Sequence, residues 1–524
     1  MVHMLSSHLR LVLAAALATP MVAATCESLS ALKPADTTIT AAQTVAAGAF
    51  PPPGPQIGPV AVDYKKLPAF CRVQGVIQPS SDSHIEFEIW LPAAGWNGRY
   101  EGLGNGGFAG AIDFGGLANA VANGYAASDS DTGHKGTAID GRWAANHPEK
   151  VTDFGYRAVH ETAEKAKAVI AAFYGNAARH SYFSSCSDGG REALMEAQRF
   201  PNDYDGILAG APANKWTPLL SSAMADALML SDPASYIPAA KLPAIQAATL
   251  AACDAQDGVK DGIIGEPSKC KFDPGVLLCK SGESDSCLTA PQAAALQKLY
   301  SAKLNFPGHM PGGEVGPNGW GDWITGAAPG RSLMFAFGTG FFGNFVYDNP
   351  SWDFHTFEGD RASKIADDKL ARALNATDPD LKRFRDHGGK LIIYHGWSDA
   401  AISPLNSIDY LKSVQQKMGA GDTAKFVRLY LAPGMAHCGG GPGPDSFGQA
   451  SVAPAEPRHS ITKALEDWVE KGSAPATLIA TKYKGGPSSE VARTRPLCPY
   501  PQVAQYRGSG STDEAANFTC VEAK

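Results

Sequence analysis

Three short apolar runs in this chain each lead into a residue that can do chemistry. Residues 181–184 (Ser-Tyr-Phe-Ser) precede Ser187, residues 391–394 (Leu-Ile-Ile-Tyr) precede Asp399, and residues 426–431 precede His437. Runs of this length, bounded by glycine, proline and polar residues, read as buried strands. Strands that are buried on both sides and end in functional loops belong to a parallel sheet, whose ligands collect beyond the C-terminal strand ends. That combination constrains the fold more than any other feature of the chain.

The surrounding pattern agrees. Residues 84–90 alternate as a strand that ends at Leu91-Pro92, and 207–212 form another short apolar run. Residues 156–173, 191–200 and 408–418 have helical spacing, the second stopped by Pro201. Strands alternating with helices predict an α/β fold with a mostly parallel sheet. The rhythm is absent from residues 213–380, which hold four cysteines, many glycines and many aromatics. We therefore expect one core, built from residues 25–212 and 381–524, interrupted by a large insertion at 213–380. Residues 31–60, rich in Ala, Thr and Pro, are expected to be an extended lead-in.

Ser187 lies in Ser185-Cys186-Ser187-Asp188-Gly189-Gly190, between a strand and a helix. A nucleophile elbow sits at such a place, and its tight turn needs small residues two before and two after the nucleophile. Ser185 and Gly189 satisfy this, although the first departs from Gly-x-Ser-x-Gly; taken alone, the segment is equally a polar strand-to-helix turn. The order Ser, acid, His is that of the α/β-hydrolase fold. With Ser187, Asp399 and His437 as a triad, serine attacks an ester carbonyl, histidine shuttles the proton, and aspartate orients the imidazole. The Asp188 N–H and the glycine loop at Gly106 and Gly107 are the expected oxyanion donors. That loop is neither a dinucleotide nor a P-loop fingerprint.

Residues 1–24 read as an export signal: Arg10, an apolar run, then Val22-Ala23-Ala24 before Thr25. The expected location is periplasmic or secreted, where disulfides are permitted. The chain has 10 cysteines, enough for five bridges. Cys186 directly precedes Ser187 and Cys438 directly follows His437. If that serine and histidine are hydrogen-bonded, the two cysteines must be close, and a bridge would hold both loops together. No other apolar run is long enough for a membrane span. A net charge of −7, with no dense basic stripe, excludes a nucleic-acid partner. The expected partner is a small-molecule ester; the oligomeric state is not legible.

Within the insertion, residues 253–263 are dense in carboxylates and glycine. Asp254, Asp257 and Asp261 offer carboxylates, and Val259 and Ile263 offer carbonyls, all oxygen ligands of the kind Ca²⁺ prefers. The acidic spacing is not that of an EF-hand, and the segment reads equally as an acidic surface turn. The insertion also carries Trp320, Trp323, Phe335, Phe337, Phe341, Phe342, Phe345 and Tyr347. These suit either an aromatic substrate or the insertion's own core.

The arrangement Cys186-Ser187, Asp399, His437-Cys438 resembles the tannase/feruloyl esterase family, which also includes mono(2-hydroxyethyl) terephthalate hydrolase. The likeness runs from about Cys26 to Cys520 and includes residues 186–191, 395–399, 434–438 and 495–501. It implies an α/β-hydrolase fold with an inserted lid, a structural calcium at the 253–263 loop, and a serine carboxylesterase. The implied substrates are esters of hydroxycinnamic (feruloyl) or galloyl acids, with a terephthalate monoester as the alternative. A non-catalytic, calcium-stabilised binding protein on the same scaffold is the reading from another class. The implied bridges pair Cys26 with Cys71, Cys186 with Cys438, Cys253 with Cys270, Cys279 with Cys287, and Cys498 with Cys520.

Overall fold

The computed structural model describes residues 24–52, 62–449, 456–486 and 489–523. The expected export signal at 1–24 lies almost wholly outside them. Nine strands form one sheet: β1 Thr37–Val45, β2 Phe70–Ile77, β3 Ile85–Pro92, β4 Arg99–Leu103, β5 Ala126–Ser130, β6 His180–Cys186, β7 Gly206–Gly210, β8 Lys390–Gly396 and β9 Val427–Ala432. Their spatial order is β1-β2-β3-β5-β4-β6-β7-β8-β9. The first three strands and the β3/β5 pair are antiparallel. The pairs from β5 through β9 are all parallel. This is the α/β-hydrolase fold with a mostly parallel central sheet.

The parallel strands are apolar on both faces because both faces are covered. In β8, Leu391 and Ile393 join one core cluster and Ile392 and Tyr394 the other. The first cluster includes Val159 and Ile170 of helix Ala158–Tyr174, Leu194 of helix Asp188–Arg199 and Leu411 of helix Leu405–Met418. The second includes Leu117 of helix Phe114–Ala122, and Leu465 and Trp468 of helix Ile461–Lys471. Period-2 strands between helical layers bury nearly every residue, so the sequence shows runs rather than alternation.

The lead-in expectation for residues 31–60 is corrected in part. Residues 37–45 are β1, an edge strand paired antiparallel with β2, and Cys26 is bridged to Cys71 at the start of β2. Residues 53–61 lie outside the described ones.

Residues 213–380 fall between the neighbouring strands β7 and β8. They form helices that include Trp216–Ser231, Leu242–Cys253, Ala290–Leu299 and Gly359–Leu374, with one further core cluster almost entirely their own and one shared with residues such as Phe108 and Phe154. After β9 come two small hairpins, β10 Leu478–Tyr483 with β11 Val491–Leu497, and β12 Gln502–Tyr506 with β13 Phe518–Glu522.

Candidate active site

Ser187 sits between β6 and helix Asp188–Arg199 with φ 70° and ψ −121°. A non-glycine residue in that region stores about 1–3 kcal/mol of strain, which its neighbours must hold. The holding bonds are from Ser187 N–H to Gly210 O (2.9 Å), and from the N–H groups of Ala213 and Arg191 to Ser187 O (each 3.1 Å). The turn is too tight for side chains. A Cβ on Gly189 would lie 1.9 Å from Ser185 Oγ, and one on Gly190 would lie 2.2 Å from Gly210 O. These two glycines weaken the helical pattern, which is why the helix starts three residues earlier than the spacing predicts.

Beneath the elbow is a buried ionic layer. Arg191 is wholly buried and donates to Asp188 Oδ1 (2.6 Å), Gly155 O (2.6 Å) and Phe154 O (3.0 Å). Its guanidinium lies over the rings of Phe154 and Trp216. Burial pushes the Asp188 carboxyl up to about 6, with Arg191 opposing. Burial pushes Glu192 up to about 8, and the neighbouring Asp188 charge adds to this. Glu192 in turn accepts the Asn105 N–H (2.9 Å).

The other two strand-end residues meet Ser187 across the sheet edge. His437 Nε2 is 2.9 Å from Ser187 Oγ, and His437 Nδ1 is 2.8 Å from Asp399 Oδ2. The Asp399 carboxylate is buried, and its Oδ1 accepts the N–H groups of Ala401 (2.8 Å) and Ile402 (2.9 Å). Burial alone would raise its pKa. The His437 charge and hydrogen bonds from His395 and His437 outweigh it, and the group is held well below the usual carboxylate range. His395, to which the sequence pattern assigns no role, also reaches this carboxylate: its Nε2 is 3.1 Å from Asp399 Oδ2.

The glycine loop passes directly over the elbow. Gly189 N–H donates to Asn105 O (2.8 Å), and a Cβ on Gly104 would meet Glu192 and Ser185. Gly106 has open space where a Cβ would be, whereas at Gly107 (φ 59°) a Cβ would lie 2.3 Å from Ala138 O. Among the described residues, the N–H groups of Asp188, Gly106 and Gly107 donate to no protein acceptor.

The insertion reaches the histidine. Asn318 Nδ2 donates to His437 O (2.6 Å), and Trp323 Nε1 donates to Asn318 Oδ1 (2.7 Å). The Trp323 ring stands edge-on to His437 with centroids 5.0 Å apart, and it lies parallel to Phe337 at 6.0 Å. Phe337 also approaches Gly107. In contrast, Trp320, Phe341, Phe342 and Phe345 are at most 1% exposed; Trp320 packs within the insertion, whereas Phe341, Phe342 and Phe345 belong to a cluster that also takes in Phe108 and Phe154, outside it. The aromatics thus divide by place, with Trp323 and Phe337 beside the histidine and glycine loops and the others in buried packing.

All ten cysteines are paired: 26 with 71, 186 with 438, 253 with 270, 279 with 287, and 498 with 520. The Cys186–Cys438 bridge has a Cα–Cα distance of 6.0 Å and joins residues flanking the serine and the histidine.

In the acidic loop, Asp254 accepts N–H groups from Asp261 (3.2 Å) and Gly262 (3.0 Å), and Asp257 accepts from Val259 (3.0 Å). Asp261 accepts from Ile263 (3.1 Å) and pairs with Arg495 and Arg493. The Val259 and Ile263 carbonyls accept no protein hydrogen bond among the described residues. Burial, with the charge of Asp261 adding, pushes Asp257 up to about 6 despite the Val259 N–H. The two free carbonyls and the Asp257 carboxyl, all oxygen, suit a hard cation such as Ca²⁺, while Asp254 is met by two backbone N–H groups and Asp261 by Arg493 and Arg495. The three carboxylates do not themselves converge within 4.8 Å. Among the described residues, His160, Glu196 and Asp203 do, but there His160 (2.6 Å) and Lys167 (3.4 Å) already pair with Asp203.

Comparison with known proteins points one way. An uncharacterised esterase of Xanthomonas campestris pv. campestris is 41% identical, over 97% of this chain and 93% of that protein. The crystal structure of feruloyl esterase B from Aspergillus oryzae matches with a TM-score of 0.86 at 31% identity, over 95% of this chain and 99% of that one. Tannin acyl hydrolase from Aspergillus niger shares the fold, with a TM-score of 0.75 at 23% identity over 95% of each chain. The family model for tannase and feruloyl esterase matches residues 71–521, and this chain, an ester hydrolase, belongs to that family.

Proposed function

We propose that the protein is an exported serine carboxylesterase that cleaves esters of aromatic acids, with hydroxycinnamoyl or galloyl groups as the acyl part. The observation that carries this reading is the hydrogen-bonded line from Ser187 Oγ through His437 to Asp399. With its Nδ1–H given to Asp399, His437 presents the Nε2 lone pair to the serine hydroxyl. His437 takes the Ser187 proton as Oγ attacks the ester carbonyl carbon, then delivers it to the departing alcohol. A water, deprotonated by the same nitrogen, attacks the acyl-enzyme and releases the acid. The Asp188 N–H, with Gly106 or Gly107, meets the charge that develops on the carbonyl oxygen.

The substrate class is supported by Trp323 and Phe337 beside the histidine. A planar acyl group gains most from burial between such rings. On this reading residues 213–380 act as a lid. Asp254, Asp257, Asp261 and the carbonyls of Val259 and Ile263 would hold Ca²⁺, which supplies order rather than chemistry. The Ile263 side chain lies against Gly434, three residues before His437, so order there favours order in the histidine loop. Five disulfides support export. The name of feruloyl esterase B, a relative at 31% identity, supports the hydroxycinnamoyl version.

The test is hydrolysis of methyl ferulate, methyl gallate and mono(2-hydroxyethyl) terephthalate side by side. Preference for either of the first two is expected. Preference for the third would replace the acyl assignment, and equal, feeble rates on all three would reject every specific version.

A further inference from the structure

His395 lies at the C-terminal end of β8, is wholly buried, and has both ring nitrogens engaged. Nδ1 is 2.8 Å from Ser407 Oγ, and Nε2 is 2.9 Å from the Ile402 carbonyl oxygen and 3.1 Å from Asp399 Oδ2. A carbonyl only accepts, so Nε2 carries the proton and, in the neutral ring, Nδ1 accepts from the Ser407 hydroxyl. One N–H is therefore shared between Ile402 O and the same carboxylate oxygen that receives His437 Nδ1–H.

We propose that His395 is a positioning residue for hydrolysis: it donates to Asp399 Oδ2 and thereby sets the orientation and charge that His437 meets. The proposal rests on the reading of Ser187, His437 and Asp399 as a triad. His395 does not touch substrate. The backbone N–H groups of Ala401 and Ile402 hold Oδ1, so His395 is the second donor that Oδ2 needs besides His437. An apolar side chain would fill the same space, and a buried imidazole is costly unless its bonds are made. Here all are made, and one goes to the carboxylate.

The expected signature follows from charge. A donor on Oδ2 disperses negative charge that would otherwise stabilise the His437 imidazolium. Removing it strengthens that stabilisation, so His437 holds its proton to higher pH and the acid limb of the rate profile moves up. The titratable groups at the carboxylate are His395 from β8 and His437 from the loop after β9. Helix Leu405–Met418 contributes only the Ser407 hydroxyl to this ring. From the insertion, Glu314 is committed to Tyr300 and the Gly312 N–H, and Asn318 brings a neutral amide.

The test compares His395→Leu, which removes the donor, with His395→Gln, whose amide can replace it. Esterase activity on 4-nitrophenyl acetate is measured across pH, with thermal unfolding as the folding check. In the leucine variant kcat should fall about ten-fold or more with KM nearly unchanged, and the acid limb should move up by about half a unit. The glutamine variant should restore both. A folded leucine variant whose acid limb does not move overturns the proposal, as does a loss confined to KM. If the leucine variant does not fold, His395→Phe carries the test. It keeps a planar ring in the same space and lacks the Nε2–H that reaches Asp399 Oδ2, so the limb must move in the same direction; an unmoved limb again overturns the proposal. Ser187→Ala in parallel separates the two levels. Activity that survives it removes the triad itself, whereas a dead Ser187→Ala beside an unmoved limb removes only the role of His395.

Discussion

Replacing Cys186 and Cys438 together by alanine isolates what the bridge beside the triad does. The bridge spans 252 residues, whereas the others span 45, 17, 8 and 22. In the chain-entropy picture a loop of that length constrains the unfolded chain by about 5 kcal/mol, the largest share of the five. The parallel strands β6 to β9 hold the same loops independently, so the fold should survive at reduced stability. The catalytic geometry has less reserve. Ser187 Oγ and His437 Nε2 are 2.9 Å apart on the two bridged loops, and a displacement of about 1 Å costs on the order of a hundred-fold in rate. The double variant should therefore keep its far-UV circular dichroism, show a lower urea midpoint, and lose kcat/KM by one to two orders of magnitude, roughly. Loss of secondary structure in step with activity would assign the bridge to folding alone. A folded variant with unchanged kcat/KM would refute the tethering argument.

Two further outcomes follow from the buried charges. Burial holds the Glu192 carboxyl at about 8 in the folded protein, against about 4.3 when unfolded. Between those values the folded form keeps a proton that the unfolded form has lost, so stability falls as pH rises through that window. Glu192→Gln keeps an oxygen acceptor for the Asn105 N–H and removes the charge. Its urea midpoint should gain on the parent between about pH 5 and pH 8, and a constant difference would contradict the burial argument. Treatment with a calcium chelator should lower the thermal unfolding midpoint and restored Ca²⁺ should recover it; an unchanged midpoint would remove the metal from the 253–263 loop.

The strands that carry the site were legible because β6, β7, β8 and β9 are buried on both faces and so read as continuous apolar runs. β1 was not, since its Thr- and Ala-rich sequence becomes a strand only through pairing with β2, a non-local fact. Triad order could be read from strand ends, but the distances could not. His395 was hidden for the same reason. On a linear chain it is one more residue at the end of an apolar run, and only the turn at residues 399–402 brings its Nε2 to a carboxylate. The insertion's aromatics were legible as a group, yet sequence carries no signal separating Trp323 and Phe337, near His437 and Gly107, from Phe341 and Phe345, buried in a cluster shared with Phe108 and Phe154.

If Ser187 is the nucleophile, the acyl group can be trapped on it. An ester of an aromatic acid is mixed with the enzyme, the reaction is stopped in acid within the first turnover, and the protein is digested and weighed. One acyl increment is expected on the peptide containing Ser187, formed as one equivalent of alcohol is released, and absent from Ser187→Ala. Full turnover by Ser187→Ala, or an acyl increment on any other residue, would contradict it.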